Sequence, residues 1–173
     1  MKLFAFYIGG ATESSLIELH DVRIIAAEKM EDCYEEIRQS WWGTEKSLHL
    51  DCWGELVSAD GHDIHLKPEP AHDDNKLWFV NLGGYNPSEF IELHKNIFVV
   101  APNESKAKVR ALGMVTDWQS RHKDYQYELE NITCLAGAAT DKGLHIHLTA
   151  TDTPTPFRFD FGYNPVFKKK DPA

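Results

Sequence analysis

The sequence predicts an α+β fold of two tandem ββαββ units packed with pseudo-two-fold symmetry, followed by an extended C-terminal strap. Three observations carry that expectation. First, the segment Leu3-Phe4-Ala5-Phe6-Tyr7-Ile8-Gly9-Gly10 returns as Leu77-Trp78-Phe79-Val80-Asn81-Leu82-Gly83-Gly84, and Ile17-Glu18-Leu19-His20 returns unchanged as Ile91-Glu92-Leu93-His94 at the same spacing. Second, each copy holds short apolar or β-branched runs on either side of a single helix-like stretch. Third, residues 153–173 fall outside the repeat yet carry Phe157, Phe159, Phe161 and Phe167.

The elements follow in order. Residues 2–8 and 22–27 are apolar runs bounded by Gly-Gly and by charged residues, which is strand chemistry. The stretch Leu16–His20 is open between a helical turn and the start of the second strand. Residues 30–42 place Cys33, Ile37 and Trp41 at helical spacing, with Glu31, Asp32, Glu35 and Glu36 early, where the helix dipole favours negative charge. The second copy offers Glu104 to Trp118, with Ala107, Ala111, Met114, Val115 and Trp118 along one side. Leu48–Trp53 and Asp63–Lys67 read as strands joined near Asp60-Gly61, a favourable turn dipeptide. In the second copy, Ile146-His147-Leu148 matches Ile64-His65-Leu66.

These bounds give a first repeat over 1–67, a linker over 68–76, a second repeat over 77–152 and a strap and tail over 153–173. The linker is assigned because its prolines and charges lack periodicity. A unit with one helix covers one sheet face and is marginal alone, so the repeats are expected to form one integrated globular domain. Gly9-Gly10 and Gly83-Gly84 end strands without a phosphate-loop pattern, and a tight left-handed turn is the expected reason for them.

At 173 residues with 42% apolar and 12% aromatic side chains, the chain can build a real core, which excludes a disordered or fibrous architecture. Its net charge of −9 repels phosphate backbones and anionic lipid, so neither nucleic acid nor membrane is an expected partner. The charge is uneven: residues 1–75 carry 6 basic and 16 acidic side chains, a net −10, whereas residues 76–173 carry 12 and 11, a net +1. Cys33, Cys52 and Cys134 form no disulfide framework or zinc-ribbon spacing. With no leader-like cleavage site and no run near the roughly 20 residues needed to cross a bilayer, a cytoplasmic location is expected.

Polar residues kept in both copies are the internal guide to a site. They are Glu18 and Glu92, His20 and His94, His49 and His122, Asp51 and Asp124, Glu55 and Glu128, and His65 and His147. In a strand, Glu-x-His and His-x-Asp put both side chains on one face, because side chains alternate with period two. Such pairs can ligate a metal, with His20 and His94 as candidate ligands, or orient an imidazole as a general base. The same residues can instead satisfy backbone groups at strand ends, and the spacing is weighed towards that structural role.

Taken together, the Gly-Gly strand, Ile17-Glu18-Leu19-His20-Asp21-Val22, the acidic helix closing in Trp41-Trp42-Gly43, Leu48-His49-Leu50-Asp51, Asp60-Gly61-His62 and Val80-Asn81-Leu82-Gly83-Gly84-Tyr85 resemble a bacterial family of uncharacterised domain proteins. His62 departs from that resemblance, standing where such a turn is expected to carry tyrosine. The resemblance covers most of the chain and implies a small soluble protein, with no activity or catalytic residues to transfer. The leading expectation is therefore a binding or assembly protein without a catalytic signature and without a cofactor, acting as a homodimer or with a protein partner. The alternative is a small-molecule enzyme, a metal-assisted hydrolase that uses the Glu-x-His and His-x-Asp pairs around a divalent ion.

Overall fold

The computed structural model describes residues 1–85, 88–115 and 128–167, with residues 128–130 described by backbone alone. The fold is α+β. Among the described residues, ten strands form one four-stranded and two three-stranded sheets. Contacts gather the chain into two compact units, Met1–Val57 with Thr155–Ala173, and Ser58–Pro154. No described helix is long and apolar enough to cross a membrane.

The first unit holds β1 (Lys2–Gly10), β2 (Leu19–Ala27), a 3-10 turn (Met30–Cys33), α1 (Tyr34–Ser40), β3 (His49–Glu55) and β10 (Asp160–Pro165), with strand order β10-β3-β1-β2. Strand alternation puts Phe4, Phe6 and Ile8 of β1 on one face, where they pack with Ile25, Ala27, Leu48 and Leu50. Cys33 and Ile37, both fully buried, close that core from the helical side. Burying a side chain such as Ile37 contributes roughly 1.5–3 kcal/mol relative to leaving it in water. The helix is shorter than the 30–42 periodicity predicts. Its opening turn is 3-10, and Trp41 turns extended, stacking on Trp42 with ring centroids 4.9 Å apart and donating its indole N–H to the Thr44 carbonyl.

The strap joins this sheet through its backbone. β10 pairs antiparallel with β3, the Val166 N–H donates to the Leu48 carbonyl, and Arg38 donates to the Val166 carbonyl at 2.8 Å. Among the strap's described residues, only Val166 is buried. Phe159, Phe161 and Tyr163 are exposed while Phe167 packs against the core, so the extended strap is an edge strand held by its hydrogen-bond ladder and anchored at one end.

The second unit holds β4 (Ser58–Ala59), β5 (His62–Lys67), β6 (Lys76–Tyr85), β7 (Glu92–Ala101), α2 (Glu104–Met114), β8 (Glu128–Cys134) and β9 (His145–Ala150). One sheet runs β7-β6-β8. Its core residues Trp78, Val80, Leu82, Val99 and Ala101 stand at the repeat spacing from Phe4, Phe6, Ile8, Ile25 and Ala27, and Ala107 and Ala111 of α2 cover them. Asn103 caps α2 by accepting from the Lys106 N–H. Trp118, expected at the end of this helix, lies outside the described residues.

The other sheet runs β4-β5-β9. Asp60 and Gly61 both have positive φ, 51° and 73°, the geometry of a tight two-residue hairpin turn. That turn joins β4 to β5 rather than β3 to β5, which corrects the expected hairpin. The two matched segments pair with each other instead: Ile64, His65 and Leu66 lie opposite Leu148, His147 and Ile146. Sequence periodicity marks a strand but carries no information about which strand lies beside it.

Irregularity recurs at equivalent points. The β1–β3 register shifts between Tyr7 and Ile8, and the β6–β8 register shifts between Asn81 and Leu82, at the repeat spacing. In β3 the residue passed over is Asp51, since Tyr7 faces Cys52 and Ile8 faces Leu50. A bulge of this kind re-aims the side chain it carries.

Candidate functional site

The site is built on the sheet face opposite α1. Tyr7 and Gly9 share that face by alternation, away from Phe6 and Ile8. Gly9 lies opposite His20 in β2 and opposite His49 in β3. The Gly-Gly pair is therefore strand rather than turn, and neither Gly9 nor Gly10 has positive φ, which corrects the expected left-handed turn. Space is the reason for glycine: a Cβ on Gly9 would stand 2.7 Å from Asp51 Oδ2, 2.9 Å from His20 Cδ2 and 2.9 Å from His49 Nε2. Three polar side chains from two flanking strands, His20 of β2 and His49 and Asp51 of β3, thus close over one bare backbone position.

Glu18 completes the group from the loop before β2, so the ambiguous Leu16–His20 stretch resolves into loop for 16–18 and strand for Leu19 and His20. His49 Nε2 lies 3.4 Å from Asp51 Oδ1 and 3.6 Å from Glu18 Oε1, and His20 Nε2 lies 3.3 Å from Asp51 Oδ2. The His49 ring is wholly buried, with Nδ1 2.8 Å from the Ser47 carbonyl oxygen. A carbonyl only accepts, so this contact requires the proton on Nδ1 and points Nε2 at the carboxylates. His49 Nε2 and Asp51 Oδ2 are both buried without a hydrogen-bond partner among the described residues. Buried polar atoms are rarely left so, and two together at one place mark a site where something else belongs.

Aromatic rings frame the group. Tyr7 stacks on His20 with centroids 5.1 Å apart, and Tyr163 lies 4.2 Å from the His49 ring. Burial, followed by the negative charge of Asp51 and then Cys52, raises the Tyr7 phenol above its ordinary value. Burial and then Asp51 likewise raise the Cys52 thiol. Both shifts keep these two groups protonated around a carboxylate that supplies negative potential.

The donors form a chain, Glu18 to His49 to Asp51 to His20. Among the described residues, no three or more His, Cys, Asp or Glu side chains form a ready-made metal-ion site. The chain's ends are its exposed parts: the side chains of Glu18 and His20 are 49% and 34% exposed, against 1% for His49.

The second copy presents a different set. Glu92 and His94 lie 3.8 Å apart, and His94 stands opposite Gly83 as His20 stands opposite Gly9. His122 and Asp124 lie outside the described residues. Strand register puts other residues at the corresponding places: Leu129 faces Leu82 as Leu50 faces Ile8, so Glu128 and Glu130 stand where His49 and Asp51 stand in the first unit. The sequence match of His49 with His122, and of Glu55 with Glu128, is thereby corrected. His65 and His147, the remaining matched pair, belong to the β5–β9 ladder, where His147 contacts the Glu69 carbonyl.

A two-unit antiparallel α+β scaffold with a partly buried histidine–carboxylate group on one sheet face is the class of protein these features define. Residues 15–66 match the family model DUF1543, a domain of unknown function, and that stretch contains Glu18, His20, His49 and Asp51. The chain is also similar to the crystal structure of a protein, Il1583, from Idiomarina loihiensis, at 31% identity over 97% of this chain and 99% of that one, with a TM-score of 0.70. The chain belongs to this uncharacterised domain family. No curated protein matches it.

Sequence reading missed Ser47, Tyr7, Tyr163 and the role of Gly9. Only Gly9 had a signal, because a repeated Gly-Gly inside an apolar run marks a close backbone approach as readily as a turn.

Proposed function

We propose that this protein is a binding protein whose first unit takes a small ligand at Glu18, His20, His49 and Asp51. The observation that carries the reading is the buried, unpartnered His49 Nε2, held by Ser47 and aimed at two carboxylates. With the imidazole neutral, Nε2 and the two carboxylates it faces are three acceptors that repel one another unless a positive charge or hydrogen-bond donors lie between them. A ligand supplying either converts that repulsion into attraction, and the acidic balance of residues 1–75 favours the approach of such a ligand.

The alternative reading, hydrolysis of a small molecule, draws on the same geometry, since an imidazole oriented through Nδ1 with Nε2 facing outward is what a general base requires. We also retain the bacterial cytoplasm as the setting and self-association as the mode of assembly. Supporting the latter, the loops before β2 and β7 expose apolar residues at matching positions, Leu16 with Ile17 and Phe90 with Ile91.

The test is a thermal-shift screen of small polar and cationic compounds in chelator-containing buffer, comparing the wild-type chain with Asp51→Asn and His20→Ala. The expected result is a compound that stabilises the wild type and loses its effect in both variants. A set of hits that stabilise all three proteins equally would place binding elsewhere and overturn the reading.

A further inference from the structure

We propose that the ligand of this site is a divalent transition-metal ion, held by His49 Nε2, His20 Nε2 and the carboxylates of Asp51 and Glu18; the inference rests on the binding-site reading above and names its ligand class. Separation between neighbouring donors is one argument. An ammonium group donating to three acceptors at about 2.8 Å would hold them roughly 4.6 Å apart, from tetrahedral geometry. A cation bound to nitrogen and oxygen at about 2.0–2.2 Å holds its ligands roughly 3.3–3.6 Å apart by the same geometry. The contacts here are 3.3, 3.4 and 3.6 Å. These three contacts between successive members of the chain, two of them to different oxygens of Asp51, are compatible with the edge lengths of a metal polyhedron.

Donor chemistry points the same way. Two imidazoles and two carboxylates suit zinc, manganese or iron rather than calcium or magnesium, which prefer oxygen alone. His49 is already fixed, its Nδ1 held by a backbone carbonyl in the manner that orients metal-bound histidines. Asp51 sits at the bulge beside it. The open chain would close around an ion when the partly exposed Glu18 and His20 side chains turn towards His49 Nε2, above a Gly9 backbone that carries no side chain to compete with them.

The experiment is calorimetric titration of chelator-stripped full-length protein with zinc chloride, with cobalt(II) as a visible probe of coordination geometry. One ion per chain is expected, with ligand-field absorption from the cobalt form. His20→Ala and Asp51→Asn should each weaken binding by more than roughly tenfold, a loss that outer-shell changes alone can reach. Gly9→Ala should do the same while retaining all four donors. Because buried His49 is a folding risk, His20→Ala at the half-exposed position is the decisive variant, with circular dichroism confirming its fold. Zinc binding that is unchanged in His20→Ala and Asp51→Asn would assign the ion to other histidines and overturn the proposal. An absence of binding by zinc, manganese and cobalt would overturn it too. If metals fail while the chelator-buffered screen yields a site-dependent compound, the binding site stands and the metal falls; if both fail, both fall.

Discussion

Gly9 lies directly opposite His20 in the β1–β2 ladder, and the imidazole occupies the space that a Gly9 side chain would need. Gly9→Ala is therefore expected to destabilise the fold by about 1–3 kcal/mol, as overpacking against fixed neighbours does. Gly113→Ala is the control. It is an exposed helix position with nothing within 4 Å of the new Cβ, and it should be neutral or stabilise by up to about 1 kcal/mol. Urea unfolding of the two variants beside the wild type measures both effects.

Asp60 holds the second unit's hairpin turn in place. Its side chain, 4% exposed, accepts from the Val100 N–H at 2.9 Å and from the Arg110 guanidinium, which raises the arginine above its ordinary value. Asp60→Ala should cost about 1–3 kcal/mol, because the Val100 N–H loses its acceptor. Asp60→Asn should cost less, since asparagine tolerates positive φ and retains an acceptor oxygen. Thermal melts of both variants would show this order.

The three cysteines should separate by reactivity. Cys134 is exposed, Cys33 is fully buried, and Cys52 is partly buried with its thiol raised. A thiol-reactive dye at mildly alkaline pH should label Cys134 first, Cys52 slowly, and Cys33 only on unfolding, because thiolate is the reacting form. Asp51→Asn should speed the labelling of Cys52 by removing the negative charge beside it. Peptide mapping by mass spectrometry reads the order.

Stability should fall on the alkaline side. Tyr7 has its phenol raised in the folded state, so the unfolded chain releases that proton first, near the ordinary value of 10.0. Below that pH both states are protonated and nothing is lost. As pH climbs towards the folded value, the unfolded state binds fewer protons than the folded one and unfolding is favoured. Cys52 adds the same slope from its ordinary value of 9.0. Tyr7→Phe should flatten the decline in unfolding midpoint above pH 10.0, the ordinary value of the phenol it removes.

Much of this was legible in the residues. The repeat spacing that matches Phe4 to Trp78 and Ile25 to Val99 is the spacing at which the two cores are built. The candidates Glu18, His20, His49 and Asp51, chosen because alternate strand residues share a face, do meet. What escaped was pairing and register. Nothing local to Ile64-His65-Leu66 says that its neighbour is β9, since strand pairing is set by long-range contacts. His49 was matched to His122 because identity was followed across loops of unequal length, while the ladder sets Glu128 at that place. The Gly-Gly motif was ambiguous in isolation, because a strand glycine and a turn glycine differ only in what approaches them.

Nitrogen-15 NMR of the His49 ring tests the central claim, that its buried Nε2 is the receiving end of a ligand site. The expected spectrum keeps the proton on Nδ1, bonded to the Ser47 carbonyl, both before and after zinc is added, while the Nε2 resonance moves on binding. An Nε2 resonance that stays in place while the protein binds its ligand would contradict it, and would leave His49 as a buried structural histidine.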